Sequence, residues 1–311
     1  MSFHSELIAR FGPRAAAEVA LAPLTTFRVG GPAQWFVEVR SAAELVDTLR
    51  LAHAHGVPVT LLGGGSNVLV SDRGVSGLVV RVHGGEVRLD AADRVRADAG
   101  VTVNGLVRWT IARGLAGLET WAGTPGTVGG AIYGNAHFRG QLIGDLVSSV
   151  RVASRSGDTR DVPAREMDFG YDRSRLQQSG EVMLSAAFAV SRGDVAALRE
   201  SARASLAYRK RTQPLHLPSA GCVFQNPDPA HDPVPPDVPP SAGALIDRAG
   251  LKGAGVGGAR VSTVHANFIV NEGGATAADI RALIEHCRRE VARRFGVHLR
   301  DEIVYLGTFD R

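Results

Sequence analysis

Two glycine runs limit what this chain can build, because each demands backbone that other residues adopt poorly. The first is Gly63-Gly64-Gly65-Ser66-Asn67, entered from the apolar stretch Val59 to Leu62 and left through Val68-Leu69-Val70. The second is Gly123-Thr124-Pro125-Gly126-Thr127-Val128-Gly129-Gly130-Ala131. Glycine admits positive φ and lets a ligand come close to main-chain N–H groups. Successive N–H groups aimed at one point make a nest for phosphate oxygens. Two such loops suit a diphosphate held from two sides, so a dinucleotide is the first ligand class to consider. The first loop lacks the Lys that a Walker A loop places after its glycines. The residues after it read as a short strand rather than a helix, which disfavours a Rossmann fold.

The segments around the loops alternate between strand and helix patterns. Trp35 to Val39 reads as a strand, and Ser41-Ala-Ala-Glu44 as a capping box opening a helix that Gly56 ends. Val57 to Leu62 and Leu78 to Val82 complete a small α/β unit, assigned to residues 1–85. A second α+β unit, 86–193, has Val87, Leu89, Val95 and Ala97 as inward candidates, a helix from Val103 to Arg113, and a hairpin turn at Ser156-Gly157-Asp158. A third unit, 194–311, opens with a helix from Val195 to Arg211. It closes with another, capped by Thr276 and Asp279 and stopped by Gly296, with Cys287 on its core face. Residues 228–240 hold so many prolines that neither helix nor central strand is possible, and they read as an exposed, flexible insertion.

Composition removes several classes of function. With 44% hydrophobic and 21% charged residues in 311, the chain fits a globular protein of two or three domains. No apolar run reaches the length of a membrane span, and the N-terminus has no long apolar core of a signal peptide. Two distant cysteines give neither a disulfide framework nor a zinc pattern, so no metal and a cytoplasmic location are expected. The net charge of +4 is mild and mixed with acids, which argues against nucleic-acid binding. Arg288, Arg289, Arg293 and Arg294 read as a solvated helix face. Arg209-Lys210-Arg211, just before an unusual loop, is better placed to meet an anionic ligand.

That loop is Pro218-Ser-Ala-Gly-Cys222-Val-Phe-Gln-Asn226-Pro227. A lone cysteine is commonly a small buried hydrophobe. A thiol with its ordinary pKa of about 8.5 also stays mostly protonated at neutral pH and can act as a general acid. No His adjoins Cys222 in sequence, although His265 and His216 remain candidates to approach it in space.

Taken in order, the two glycine loops, Asn135-Ala136, the Cys222 segment, Ala249-Gly-Leu-Lys-Gly253, His265-Ala-Asn-Phe-Ile-Val-Asn271 and Asp301-Glu302-Ile303 resemble the UDP-N-acetylenolpyruvoylglucosamine reductases, a flavoenzyme family. The resemblance runs from about Leu24 to Gly307, and the passage from Tyr208 to Pro218 is similar to the type II subgroup. It implies an α+β chain with a two-part FAD-binding fold of the vanillyl-alcohol-oxidase group and a C-terminal substrate domain. In such enzymes NADPH reduces non-covalent FAD, and hydride passes to the enolpyruvyl double bond of a UDP-sugar. A protein acid protonates the neighbouring carbon, giving UDP-N-acetylmuramate, a cell-wall precursor.

Carried onto this sequence, the resemblance puts Cys222 at the proton-donor position and Glu302 at the C-terminal acid position. Glu302 is expected to be protonated if held near the substrate carboxylate. FAD is expected on Gly63, Gly64, Gly65, Ser66 and Asn67 and on Pro125, Gly126, Thr127, Gly129 and Gly130. Substrate is expected on Tyr171, Lys210, Arg211, Asn226 and His265. The family pattern Phe-x-Tyr-Arg-x-Ser departs here, since the chain reads Phe169-Gly-Tyr-Asp172-Arg173-Ser174. Arg173 is the expected cation, with Arg175 the alternative. The expected partner is a small UDP-sugar, bound by a monomer. Another FAD oxidoreductase of this fold, or a nucleotide-binding module without catalysis, are the competing readings.

Overall fold

The computed structural model describes residues 2–309, which fall into two compact units with interleaved sequence. The first unit takes residues up to Val19, Gln34–Gly64 and Ser76–Tyr208. The second takes Ala20–Ala33, Gly65–Val75 and the described residues from Arg209 onward. The expected pieces 1–85 and 86–193 thus share one unit. Two short stretches from the N-terminal third join the C-terminal residues in the other.

The first unit is built on two sheets. One has the strand order Ala15–Ala20, Pro32–Val39, Val75–Val82, Val59–Leu62, with the last two parallel. The helix Ala42–Ala54 links Pro32–Val39 to Val59–Leu62. Ser41 caps it by accepting from the Glu44 N–H at 3.2 Å, and Glu44 reaches back to the Arg40 N–H at 2.8 Å. Leu45, Leu49 and Ala52 bury its inner face against Val37, Leu78 and Val80. The second sheet is antiparallel, in the order Thr159–Pro163, Val147–Ala153, Val182–Ala189, Arg94–Asp98, Val87–Ala91. Each sheet has its own core, and Val82 borders both. The expected inward set on the last two strands needs one correction. Val95 and Ala97 are fully buried, but Leu89 is 56% exposed. Leu89 pairs with Val95 and so faces the same side, but on the edge strand that side lies open to solvent.

The second unit packs the helices Ala242–Arg248 and Ala277–Phe295 with a small antiparallel sheet, Gly255–Val256, Ala259–Val261 and Ile269–Asn271. Phe27, Val29 and Leu69 join its core. Strand Val68–Val70 pairs in parallel with Val304–Leu306. The long helix opens on the expected Thr276/Asp279 capping box, and Gly296 closes it with φ 72°. It also has a cap that no local pattern announces: the Asp72 carboxylate accepts from the N–H groups of Ala277 and Ala278 at 2.8 and 2.9 Å. Negative charge there offsets the positive end of the helix dipole.

The proline-rich stretch is irregular but held. Asp232 takes both guanidinium nitrogens of Arg300 at 2.9 and 3.1 Å, and Val238 is buried in the core. Arg288 likewise departs from the expected solvated face. Its guanidinium pairs with Glu285 and Asp301, and its Nε donates to Leu299 O at 3.1 Å. Among the described residues no helix is long and apolar enough to cross a membrane, and no group of His, Cys, Asp and Glu is arranged to hold a metal ion.

Candidate active site

In the first unit the two glycine loops meet. A Cβ on Gly63 would lie 2.5 Å from the Thr127 hydroxyl, and one on Gly64 would lie 2.5 Å from the Gly126 Cα. Any side chain at Gly64 would therefore collide with backbone. The second loop is braced from beneath. Asn104 accepts from the Gly123 N–H at 2.7 Å and donates to Thr124 O at 3.0 Å. Val103 N–H binds Gly126 O, and Val128 N–H binds Val101 O. These bonds flank the Thr102/Thr127 bridge and leave the Thr127 amide turned away from Thr102. The Gly129 amide is committed to Ala99 O, and the Gly130 amide to the Thr127 hydroxyl. Of the expected second-loop contacts, Gly129 and Gly130 thus serve the loop through their amides. Pro125 and Gly130 are exposed.

The rest of the first loop belongs to the second unit. Gly65, at φ 63°, lets its backbone pass the Leu24 carbonyl, where a Cβ would come far too close. Its own carbonyl accepts from Thr26. Ser66 is half-buried. The Asn67 carboxamide, expected at a cofactor, donates to Glu302 O at 3.0 Å, and Asn67 O accepts from the Val304 N–H at 3.0 Å.

Cys222 and Glu302 are brought together by short strand-like pairings. Cys222 bridges Phe268, and Phe224 bridges Asp301. Glu302 N–H donates to Val223 O at 2.8 Å, and Gln225 N–H to Arg300 O at 2.9 Å. Asn267, 3% exposed, clamps the cysteine segment. Its carboxamide accepts from the Phe224 N–H at 3.0 Å and donates to Phe224 O at 2.7 Å, while its backbone carbonyl accepts from Val223. The Cys222 thiol is only half-buried at its surface, yet enough protein surrounds it to push its pKa well above the thiol range. The nearby Glu302 charge adds to that rise, and Asn267 and Arg209 oppose it. Such a thiol holds its proton at neutral pH and is a poor nucleophile.

The displaced arginine sits in a tight turn of the first unit. Gly170 and Arg173 exchange backbone hydrogen bonds at 3.1 Å each, closing a loop whose tip is Tyr171-Asp172. Asp172 occupies the left-handed region at φ 51°, which Asp tolerates better than most residues. Buried Asn135 anchors the base of the turn by donating to Gly170 O at 2.7 Å. The Arg173 guanidinium pairs with Asp168 at 3.1 Å and stays half-exposed. Arg175 is bound to Glu181, which Arg160 also holds, so it serves a structural pair. Tyr171 is exposed and stacks obliquely on His137, 4.7 Å between ring centres.

The basic run Arg209-Lys210-Arg211 is helical, inside Val195–Thr212, so its three side chains diverge. Lys210 and Arg211 are exposed, whereas Arg209 is buried. Burial lowers the Arg209 pKa to about 10, and its charge acts on Cys222. In the sequence Arg209 is only one of a basic run expected to meet an anionic ligand, and its burial was legible only from its helical phase. Asn226 is exposed, and its side-chain oxygen accepts from the Ala242 N–H at 3.1 Å, which ties it to a helix start. Burial, then Lys252, lowers the His265 pKa and keeps the ring neutral. Its Nδ1 accepts from the Asn267 N–H at 3.3 Å, so the ring proton lies on Nε2.

Known proteins resemble this chain over most of its length. Residues 213–306 match the family described as UDP-N-acetylenolpyruvoylglucosamine reductase, C-terminal domain, and residues 33–162 match an FAD binding domain. UDP-N-acetylenolpyruvoylglucosamine reductase of Synechococcus sp. (strain JA-3-3Ab) is 41% identical over 307 residues, covering 97% of this chain and 95% of the relative. The enzyme of that name from Trichormus variabilis is 41% identical over 299 residues, covering 94% and 86%. The crystal structure of UDP-N-acetylenolpyruvylglucosamine reductase (MurB) from Thermus caldophilus superposes with a TM-score of 0.77 at 33% identity, covering 94% of this chain and 98% of that one.

Proposed function

Because the chain belongs to the UDP-N-acetylenolpyruvoylglucosamine reductase family, we propose that it reduces the enolpyruvyl group of UDP-N-acetylglucosamine enolpyruvate with electrons from NADPH, Cys222 supplying the proton. FAD, when bound, supplies the hydride that joins the enolpyruvyl double bond. The residues present fit that group: Gly64 against Gly126 gives backbone free of side chains, with the Thr127 amide turned away from Thr102. Reduction builds negative charge toward the substrate carboxylate, so preorganised donors and cations lower the barrier.

The observation that carries the reading is the pairing of Glu302 N–H with Val223 O, which sets an acid beside a thiol that keeps its proton. In this reading Cys222 protonates the carbon next to the one that takes hydride. Arg209 and Asn267 favour the thiolate that is left, since both oppose the rise of its pKa. Glu302, protonated beside the substrate carboxylate, donates a hydrogen bond to it. Arg173 exchanges Asp168 for that carboxylate, and Tyr171, Lys210, Arg211, Asn226 and His265 hold the sugar nucleotide. The product, UDP-N-acetylmuramate, feeds peptidoglycan synthesis in the cytoplasm.

An anaerobic visible spectrum tests this directly. NADPH should bleach the flavin band, and the enolpyruvyl sugar nucleotide should restore it. A band that bleaches and stays bleached would mean a different acceptor. No flavin after incubation with FAD would remove the assignment.

A further inference from the structure

We infer that the side chain of Asn67, at the end of the first glycine loop, positions the acid Glu302. The inference rests on the proposed role of Glu302. Residues 65–75 and 300–306 are adjacent in the second unit through the parallel pairing of Val68–Val70 with Val304–Leu306. Asn67 sits where that pairing starts and closes it at both ends of one peptide step. Its side-chain amide donates to Glu302 O at 3.0 Å, and its carbonyl accepts from Val304 N–H at 3.0 Å.

Glu302 is thereby fixed from both sides of its backbone. Its N–H is held by Val223 O at 2.8 Å, and its C=O by Asn67. Ile303 is buried in the core, and Asp301 turns to Arg288, which also grips Leu299 O. In extended chain successive side chains point to opposite sides. With Asp301 and Ile303 directed into their own contacts, the Glu302 carboxyl is presented on the other side, near Cys222. Of the two restraints on the Glu302 backbone, the one on its carbonyl comes from a side chain and can be removed by substitution, whereas the one on its N–H is main chain to main chain. A displacement of about 1 Å at a reacting group reduces rate on the order of 10²-fold.

The test uses the FAD holoenzyme and measures the two half-reactions separately. Asn67→Asp keeps the shape and removes the donor; Asn67→Ala is the second variant should the first fail to fold. The expected result is full FAD content and normal flavin bleaching by NADPH, with reoxidation by the sugar nucleotide slowed about 10-fold to 100-fold. In a cycle with Glu302→Ala, the Asn67 substitution should add almost nothing. Loss of FAD, or equal slowing of bleaching, would overturn the inference by showing that the Asn67 side chain serves the flavin half of the reaction instead. Additive effects in the cycle would overturn it too, since Asn67 would then act elsewhere. Unmodified holoenzyme that the sugar nucleotide does not reoxidise would remove the Glu302 reading itself and the inference with it. That result is distinguishable from a variant that merely matches the parent.

Discussion

Replacing Asn267 by Ala should loosen the segment that carries Cys222, and the loss can be worked out from its bonds. The carboxamide satisfies both the N–H and the C=O of Phe224, at 3.0 and 2.7 Å, and Phe224 is 1% exposed. Leaving a buried polar group without its partner costs about 1–3 kcal/mol, so two of them cost about 2–6 kcal/mol. The small cavity admits water, which favours the lower half of that range, about 3 kcal/mol. With a urea dependence of roughly 2 kcal/mol/M, the unfolding midpoint of the second unit should fall by about 1.5 M. Trp35, Trp109 and Trp121 all lie in the first unit, so tryptophan fluorescence reports on the wrong part. Cys287, 1% exposed in the second unit, is the better probe: its alkylation after a urea pulse, read by mass spectrometry, marks opening of that core. A midpoint shift below about 0.5 M would refute the assignment of Asn267 as the clamp.

Gly64→Ala places a Cβ against the Gly126 backbone, so the loops must separate; the expected cost is about 1–3 kcal/mol, with flavin lost on gel filtration, and unchanged FAD stoichiometry would contradict it. Alkylation of Cys222 by iodoacetamide should be slow at pH 8 and still rising above about pH 10, where an ordinary thiol is already ionised, because burial and then Glu302 hold the thiol protonated. A plateau reached by about pH 10 would show an ordinary thiol. Arg173→Ala should leave stability within about 0.5 kcal/mol, as its pair with Asp168 is exposed, while slowing flavin reoxidation by substrate; stopped-flow and urea titration together check this. Arg175→Ala should show the reverse, with lowered stability and a near-normal rate, since Glu181 loses one of its two guanidinium partners.

What could be read from the sequence was what is local in it. The Thr276/Asp279 box and Gly296 bound the last long helix because both signals act within one turn. The helix Ala42–Ala54 and the turn between Val147–Ala153 and Thr159–Pro163 were legible for the same reason. Asp72 was invisible as a cap because it reaches Ala277 across most of the chain. That the Asn67 side chain reaches Glu302 O could not be read from the glycine loop, because the contact forms only where Val304–Leu306 lies beside Val68–Val70. Proline density excluded regular structure in 228–240 but said nothing of the Arg300 pair or buried Val238 that hold it down. In Arg209-Lys210-Arg211 charge alone could not tell the buried member from the exposed ones, and helical phase could.

The interleaving of the two units sets a schedule for the ribosome. Phe27, Val29 and Leu69 are core residues of a unit whose remaining core runs from Ala220 to Ile303. They emerge early and have no final partners until the chain is nearly finished. Asn67 and Glu302 are separated by 235 positions. At about 5–20 residues per second, that gap is roughly 12–47 s of exposed apolar surface during synthesis. The first unit faces no such wait after Tyr208 and can fold while the rest is still being made. Codon-dependent pausing between Tyr208 and Leu299 should therefore lengthen the vulnerable period, and truncation before Ile303 should yield chains that chaperones retain.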